Sequence, residues 1–175
     1  MLINYQKSGV NMNKFWIPIL AIFASTLLTT AVFADSPHFL FADNSVSTST
    51  GALTTSFKDA GLGTGTTSIQ ITLSVKTATA VYQCFNNGGN HPKAGNKETV
   101  STSLTKPGTF TVRNGQTTGS LMVGPPGPGS FTCPSGQTLF LQSATYSGIS
   151  VSDATGNTLA ATPDPISTGP IHVSV

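Results

Sequence analysis

Ser68-Ile69-Gln70-Ile71-Thr72-Leu73-Ser74-Val75 alternates polar and apolar residues without a break. Successive side chains of an extended chain point to opposite faces. Ile69, Ile71, Leu73 and Val75 therefore share one face, and Ser68, Gln70, Thr72 and Ser74 the other. One buried and one wetted face is what an antiparallel sheet requires. The run predicts a strand and sets the fold class for the rest of the chain.

Downstream, Ala78 to Phe85 reads as another strand, as do Gln137 to Thr145 and Ser147 to Val151. Ile171, Val173 and Val175 alternate with His172 and Ser174 in the same way. Upstream, His38 to Ala42 and Ala52 to Lys58 are shorter runs of the same kind. Asn114-Gly115 separates Thr109–Arg113 from Gln116–Val123, and Asn-Gly between two β runs signals a two-residue hairpin turn. That turn would set Val112 opposite Thr117 and Phe110 opposite Gly119. No helical periodicity appears after the first 34 residues. Short strands with turns between them predict an all-β, antiparallel β-sandwich, immunoglobulin-like or related, with a closed β-barrel as the alternative. Trp16 is the one tryptophan, so the 35–175 domain lacks the inter-sheet Trp of antibody domains.

Three loops interrupt the strands: Gly61 to Thr66, the stretch after Cys84 from Asn86 to Lys97, and Gly124-Pro125-Pro126-Gly127-Pro128-Gly129. Cys84 and Cys133 are the two cysteines, and an even count in an exported chain predicts one disulfide. It would close a loop of about 50 residues, worth about 4 kcal/mol in chain-entropy terms. It would also fasten the start of the second loop to the end of the third. Tyr82, Cys84, Asn86, Gly88, Gly89, Pro92, Ala94, Asn96 and Lys97, with Cys133-Pro134-Ser135-Gly136-Gln137, resemble a group of small exported microbial β-sandwich proteins. The resemblance implies an exported β domain and no activity.

The start of the chain points the same way. Lys7 and Lys14 precede the apolar run from Phe15, which closes on Val32-Phe33-Ala34. A positive start, an apolar middle and small residues before a polar restart describe a secretory signal peptide. The expected division is 1–34 as signal peptide, cleaved after Ala34 or kept as a membrane anchor, and 35–175 as a single domain. Apart from Lys7 and Lys14, the cations Lys58, Lys76, Lys93, Lys97, Lys106 and Arg113 match the six Asp and Glu residues. A neutral domain has no electrostatic footprint for nucleic acid, and none for an anionic membrane surface.

Signatures of chemistry are sparse. There is no nucleophile elbow and no phosphate-binding loop ahead of a helix. His38, His91 and His172 are spread out and lack metal-ligand spacing. Asp43, Asp59, Asp153 and Asp164 stand apart in the chain, and Asp153-Ala154-Thr155-Gly156-Asn157 reads as an Asx-type turn. No cofactor or metal is implied. The polar loop after Cys84 is the candidate binding element, with Asn87, Asn90, His91, Lys93, Asn96 and Lys97 as the side chains suited to sugar hydroxyls or small anions. Thr and Ser dominate several strand faces, including Thr99 to Thr105, and a weakly charged edge of that kind suits strand-to-strand assembly.

The expected function is a non-enzymatic exported module, secreted or tethered at the cell surface. It would bind a protein or carbohydrate partner, or assemble with itself. One alternative is a small secreted hydrolase built on His91, Glu98 and a nearby serine. The other is a secreted inhibitor or effector presenting the Gly/Pro loop.

Overall fold

The computed structural model describes residues 36–86 and 92–175. The 1–34 segment expected as a signal peptide lies outside the described residues. The described residues are all-β: nine strands in two antiparallel sheets packed face to face. The smaller sheet has the order β1 (His38–Val46), β2 (Leu53–Ala60), β5 (Gln116–Val123). The larger has β4 (Pro92–Thr111), β3 (Ser68–Asn86), β6 (Gln137–Asp153) and β7 (Thr158–Ala160), with β8 (Ile166–Ser167) and β9 (Val173–Ser174) also on β6. The sheets do not close into a barrel.

Ile69, Ile71, Leu73 and Val75 are all buried, as their alternation requires. The strand does not stop there: it runs on to Asn86 past an irregularity between Val75 and Ala78, which keeps Ala78, Ala80, Tyr82 and Cys84 on the inner face. Opposite them, Leu53, Thr55, Phe57 and Asp59 form the inner face of β2. Phe57 sits edge-on to both Phe39 and Phe110, with centroids 6.2 and 4.9 Å apart. Tyr146 is the largest fully buried side chain among the described residues, and its hydroxyl donates to the Gly51 carbonyl at 2.6 Å.

The Asn114-Gly115 turn forms with both residues at positive φ, 51° and 69°, and Arg113 and Gln116 exchange two backbone hydrogen bonds. Beyond that pair the two strands part. β4 continues along β3, with Phe110 opposite Ile69, while β5 joins β2, with Gly119 opposite Phe57. The pairing of Phe110 with Gly119 expected from the turn is therefore a packing contact between sheets, not a ladder pair.

Strand lengths explain the remaining architecture. β3, β4 and β6 have 19, 20 and 17 residues, whereas β2 and β5 have 8 each. At roughly 3.3 Å per residue the larger sheet overhangs the smaller by about 30 Å of strand. The overhanging inner face carries Ala80, Tyr82 and Leu141, a second apolar cluster. The Gly/Pro connection after β5 supplies its cover. Phe131 packs against the cluster, Pro126 is buried, and the Tyr82 hydroxyl donates to the Pro126 carbonyl at 2.6 Å. The disulfide Cys84–Cys133 then staples this connection to β3.

Candidate interaction surface

The candidate binding loop divides in the structure. Asn87, Asn90 and His91 lie outside the described residues. Lys93 belongs to the backbone of β4, as do Asn96 and Lys97. The loop expected to reach Lys97 therefore gives way to strand at Pro92, where Phe85 pairs with Pro92 and Gln83 with Lys97. Asn96 donates from Nδ2 to Gln137 Oε1 at 2.8 Å, and Gln137 Nε2 donates to Asn86 Oδ1 at 3.1 Å. This chain of amides ties β4, β6 and β3 together beside the disulfide, so Asn96 is committed to structure. Lys97 is exposed. Glu98, exposed as well, borders a shallow cleft with Ser130, Phe131 and Thr132.

The two flanks of the sandwich differ. On one, β1 is laced to the segment after β7: Asn44 N–H donates to the Thr162 carbonyl, Thr162 N–H to the Ala42 carbonyl, and Asn44 Nδ2 to the Pro163 carbonyl. Asn44 is itself held by Thr55, whose hydroxyl donates to Asn44 Oδ1 at 2.7 Å. On the other flank, β4 has β3 as its one ladder partner among the described strands. From Glu98 to Pro107 all side chains are exposed except Val100 and Leu104, which are half-buried at the margin of the core. Such a flank is an unsatisfied row of backbone donors and acceptors, the element on which strand addition acts.

On the outer face of the larger sheet, His172 stacks on Phe140 with centroids 3.8 Å apart, and lies edge-on to Phe85 at 4.5 Å. Gln142 Nε2 donates to His172 Nδ1 at 3.2 Å, which holds the ring flat on the phenyl.

Two aspartates that stand apart in the sequence meet across the sandwich. Asp59 is fully buried, and neither of its carboxyl oxygens accepts a well-formed hydrogen bond. Burial, and then the neighbouring charge of Asp153, push its pKa from 3.8 up to about 6; the nearby Ala60 amide and the charge of His38 offset part of this. For Asp153, burial acts upward too. Hydrogen bonds from Thr155 and Asn157, through side chains and backbone amides, outweigh it and hold the group below its ordinary value. The Asx-type turn expected at Asp153 to Asn157 is thus present. The signal for the pair was the parity of β2: Asp59 continues the inward series Leu53, Thr55, Phe57. Both buried tyrosines are also displaced upward by burial, Tyr146 to about 12.

Among the described residues no helix is long and apolar enough to cross a membrane, and no three His, Cys, Asp or Glu side chains gather as a metal site. No family model, no curated protein and no solved structure matches this chain.

Proposed function

We propose that the chain is an exported, non-enzymatic component of a cell surface or extracellular matrix, built on an immunoglobulin-like domain that binds or assembles through its strand edge and loops. The observation that carries this reading is the contrast between the flanks: one is laced shut by backbone bonds, while the other leaves β4 open over ten residues of Thr, Ser and few charges, from Glu98 to Pro107. The signal-like segment from Lys14 to Ala34 and the disulfide both suit an oxidising compartment outside the cytoplasm. A neutral 35–175 domain suits retention by neighbours of either sign without non-specific attraction to nucleic acid.

The test is fractionation of cells that make the protein, with intact mass and terminal sequencing of the recovered chain. The expected result is a chain beginning at Asp35, or retaining 1–34 as a tether, recovered with the cell-surface or matrix fraction. Recovery in the cytoplasm overturns the reading. A freely soluble product that turns over an ester, peptide or glycoside substrate, and loses that activity in Glu98→Gln, favours the hydrolase alternative.

A further inference from the structure

The open flank is self-complementary. On β4, Glu98, Val100, Thr102, Leu104 and Lys106 alternate along the face turned toward the core. This series reads anion, apolar, polar, apolar, cation, and is matched by its own reverse. We propose that β4 pairs with β4 of a second copy of this chain, antiparallel and centred on Thr102, so that Glu98 of each copy stands opposite Lys106 of the other and Val100 opposite Leu104. The proposal deepens the assembly reading above and rests on it.

Backbone parity agrees with this register. Pro107 sits opposite Thr72 and has no N–H to give β3. Residues of its parity, Thr99, Ser101, Ser103 and Thr105, therefore direct their N–H and C=O groups away from β3. The irregularity between Val75 and Ala78 adds one residue to β3 and none to β4, since their β4 partners are Leu104 and Thr102, so the parity of β4 holds through it. The close approach of the Thr79 and Ser101 hydroxyls, 2.8 Å apart, fits a pair that does not exchange backbone bonds. In the register centred on Thr102, Ser101 meets Ser103 and Thr99 meets Thr105. Both members of each pair then have free backbone groups, as a two-fold strand junction needs.

Other registers lose this match. Parallel pairing sets Glu98 against Glu98 and Lys106 against Lys106, and like charges directly opposite are unfavourable. A slip of two residues sets Glu98 against Leu104 or Gly108. Pairing about Thr102 also covers the half-buried margins of Val100 and Leu104, which nothing covers among the described residues. Pro107 limits the junction at each end, which favours a closed pair over an extending ribbon.

The experiment is size-exclusion chromatography with light scattering, and sedimentation equilibrium, on the protein purified from its own cells. The wild type is expected as a dimer. Glu98→Lys should weaken the dimer about tenfold, since two opposed pairs turn repulsive, and E98K/K106E should restore it. Ser101→Pro removes an outward N–H without touching the ladder to β3 and should give a folded monomer. If that variant fails to fold, the charge-reversal pair still reads the interface. A monomeric wild type, or a dimer indifferent to both Glu98→Lys and Ser101→Pro, overturns the proposal. A monomer that still partitions with the cell surface sinks only the β4 junction, whereas a cytoplasmic monomer sinks the exported-assembly reading as well.

Discussion

The carboxyl of Asp59 lies against that of Asp153 across the two sheets, and only one of the two is provided with hydrogen bonds. Asp59 titrates near 6 when folded against 3.8 ordinarily. The folded state therefore holds this proton more tightly than the unfolded chain. Its cost is absent below about 3.8, grows as pH rises, and is complete above about 6. The full difference corresponds to about 3 kcal/mol. Asp153 has the opposite sign: its contribution is present at neutral pH and is lost as pH falls through its depressed value. Asp59→Asn keeps the shape, carries no charge and can donate to Asp153. Thermal unfolding from pH 4 to pH 8 should show the Asp59→Asn variant more stable than wild type at neutral pH and level with it near pH 4. An equal gain at both ends would mean that Asp59 does not titrate in this range.

Two tyrosine hydroxyls each hold a backbone carbonyl at 2.6 Å, Tyr146 that of Gly51 and Tyr82 that of Pro126. Either Tyr→Phe change leaves a carbonyl without its donor and should cost about 1–3 kcal/mol in urea unfolding. The consequences should differ in place. Tyr146→Phe loosens the β1–β2 connection within the main core. Tyr82→Phe loosens the Gly/Pro cover, and limited proteolysis should then cut between Gly124 and Gly136 sooner than in the wild type.

Gly119 has no room for a side chain. A Cβ there would come within 2.5 Å of Phe110 Cδ1 and 3.2 Å of Phe57 Cζ, in the angle between two rings packed edge to face. Gly119→Ala should lose about 1–3 kcal/mol by overpacking. Combining it with Phe110→Leu should cost less than the sum of the two single changes, because both act on one contact. Strict additivity in the double-mutant cycle would place the strain elsewhere.

Cys84–Cys133 closes a loop with a sequence separation of 49. Replacing both cysteines by alanine should lower stability by about 4 kcal/mol on the chain-entropy account. The loss should concentrate at the overhanging end of the larger sheet, since the cluster of Ala80, Tyr82 and Leu141 depends on the stapled connection. Hydrogen exchange should accordingly quicken first at Tyr82 and Leu141, and later at Leu53 and Ile71. Uniform acceleration would contradict this division of the core.

Much of this fold was legible locally. The alternation of Ser68 to Val75 named its buried face residue by residue, and Asn114-Gly115 named its turn. Turn chemistry is local, however, and does not say that Phe110 leaves with β3 while Gly119 leaves with β2. The two runs at Ser68–Val75 and Ala78–Phe85 read as separate strands because Lys76-Thr77 breaks the period, which an irregularity in one strand absorbs. Asn, Gly, Pro and Lys around Pro92 to Lys97 are turn-forming in composition, yet the pairing of Pro92 with Phe85 and of Lys97 with Gln83 brackets the stretch within β4. The meeting of Asp59 with Asp153 depends on how two sheets face each other, which no stretch of either strand encodes. The flank at β4 was visible as a Thr/Ser-rich, weakly charged run, but its position at an edge was not.

The bond between Cys84 and Cys133 encloses all of β4 and β5. A load applied at the two ends of the chain travels through β1, β2, β3 and β6 and bypasses the enclosed stretch. Those 49 residues of separation, about 170 Å of extended chain, cannot unspool while the bond is intact. Under such a load the domain would extend only so far, with the edge strand β4 kept out of the line of tension.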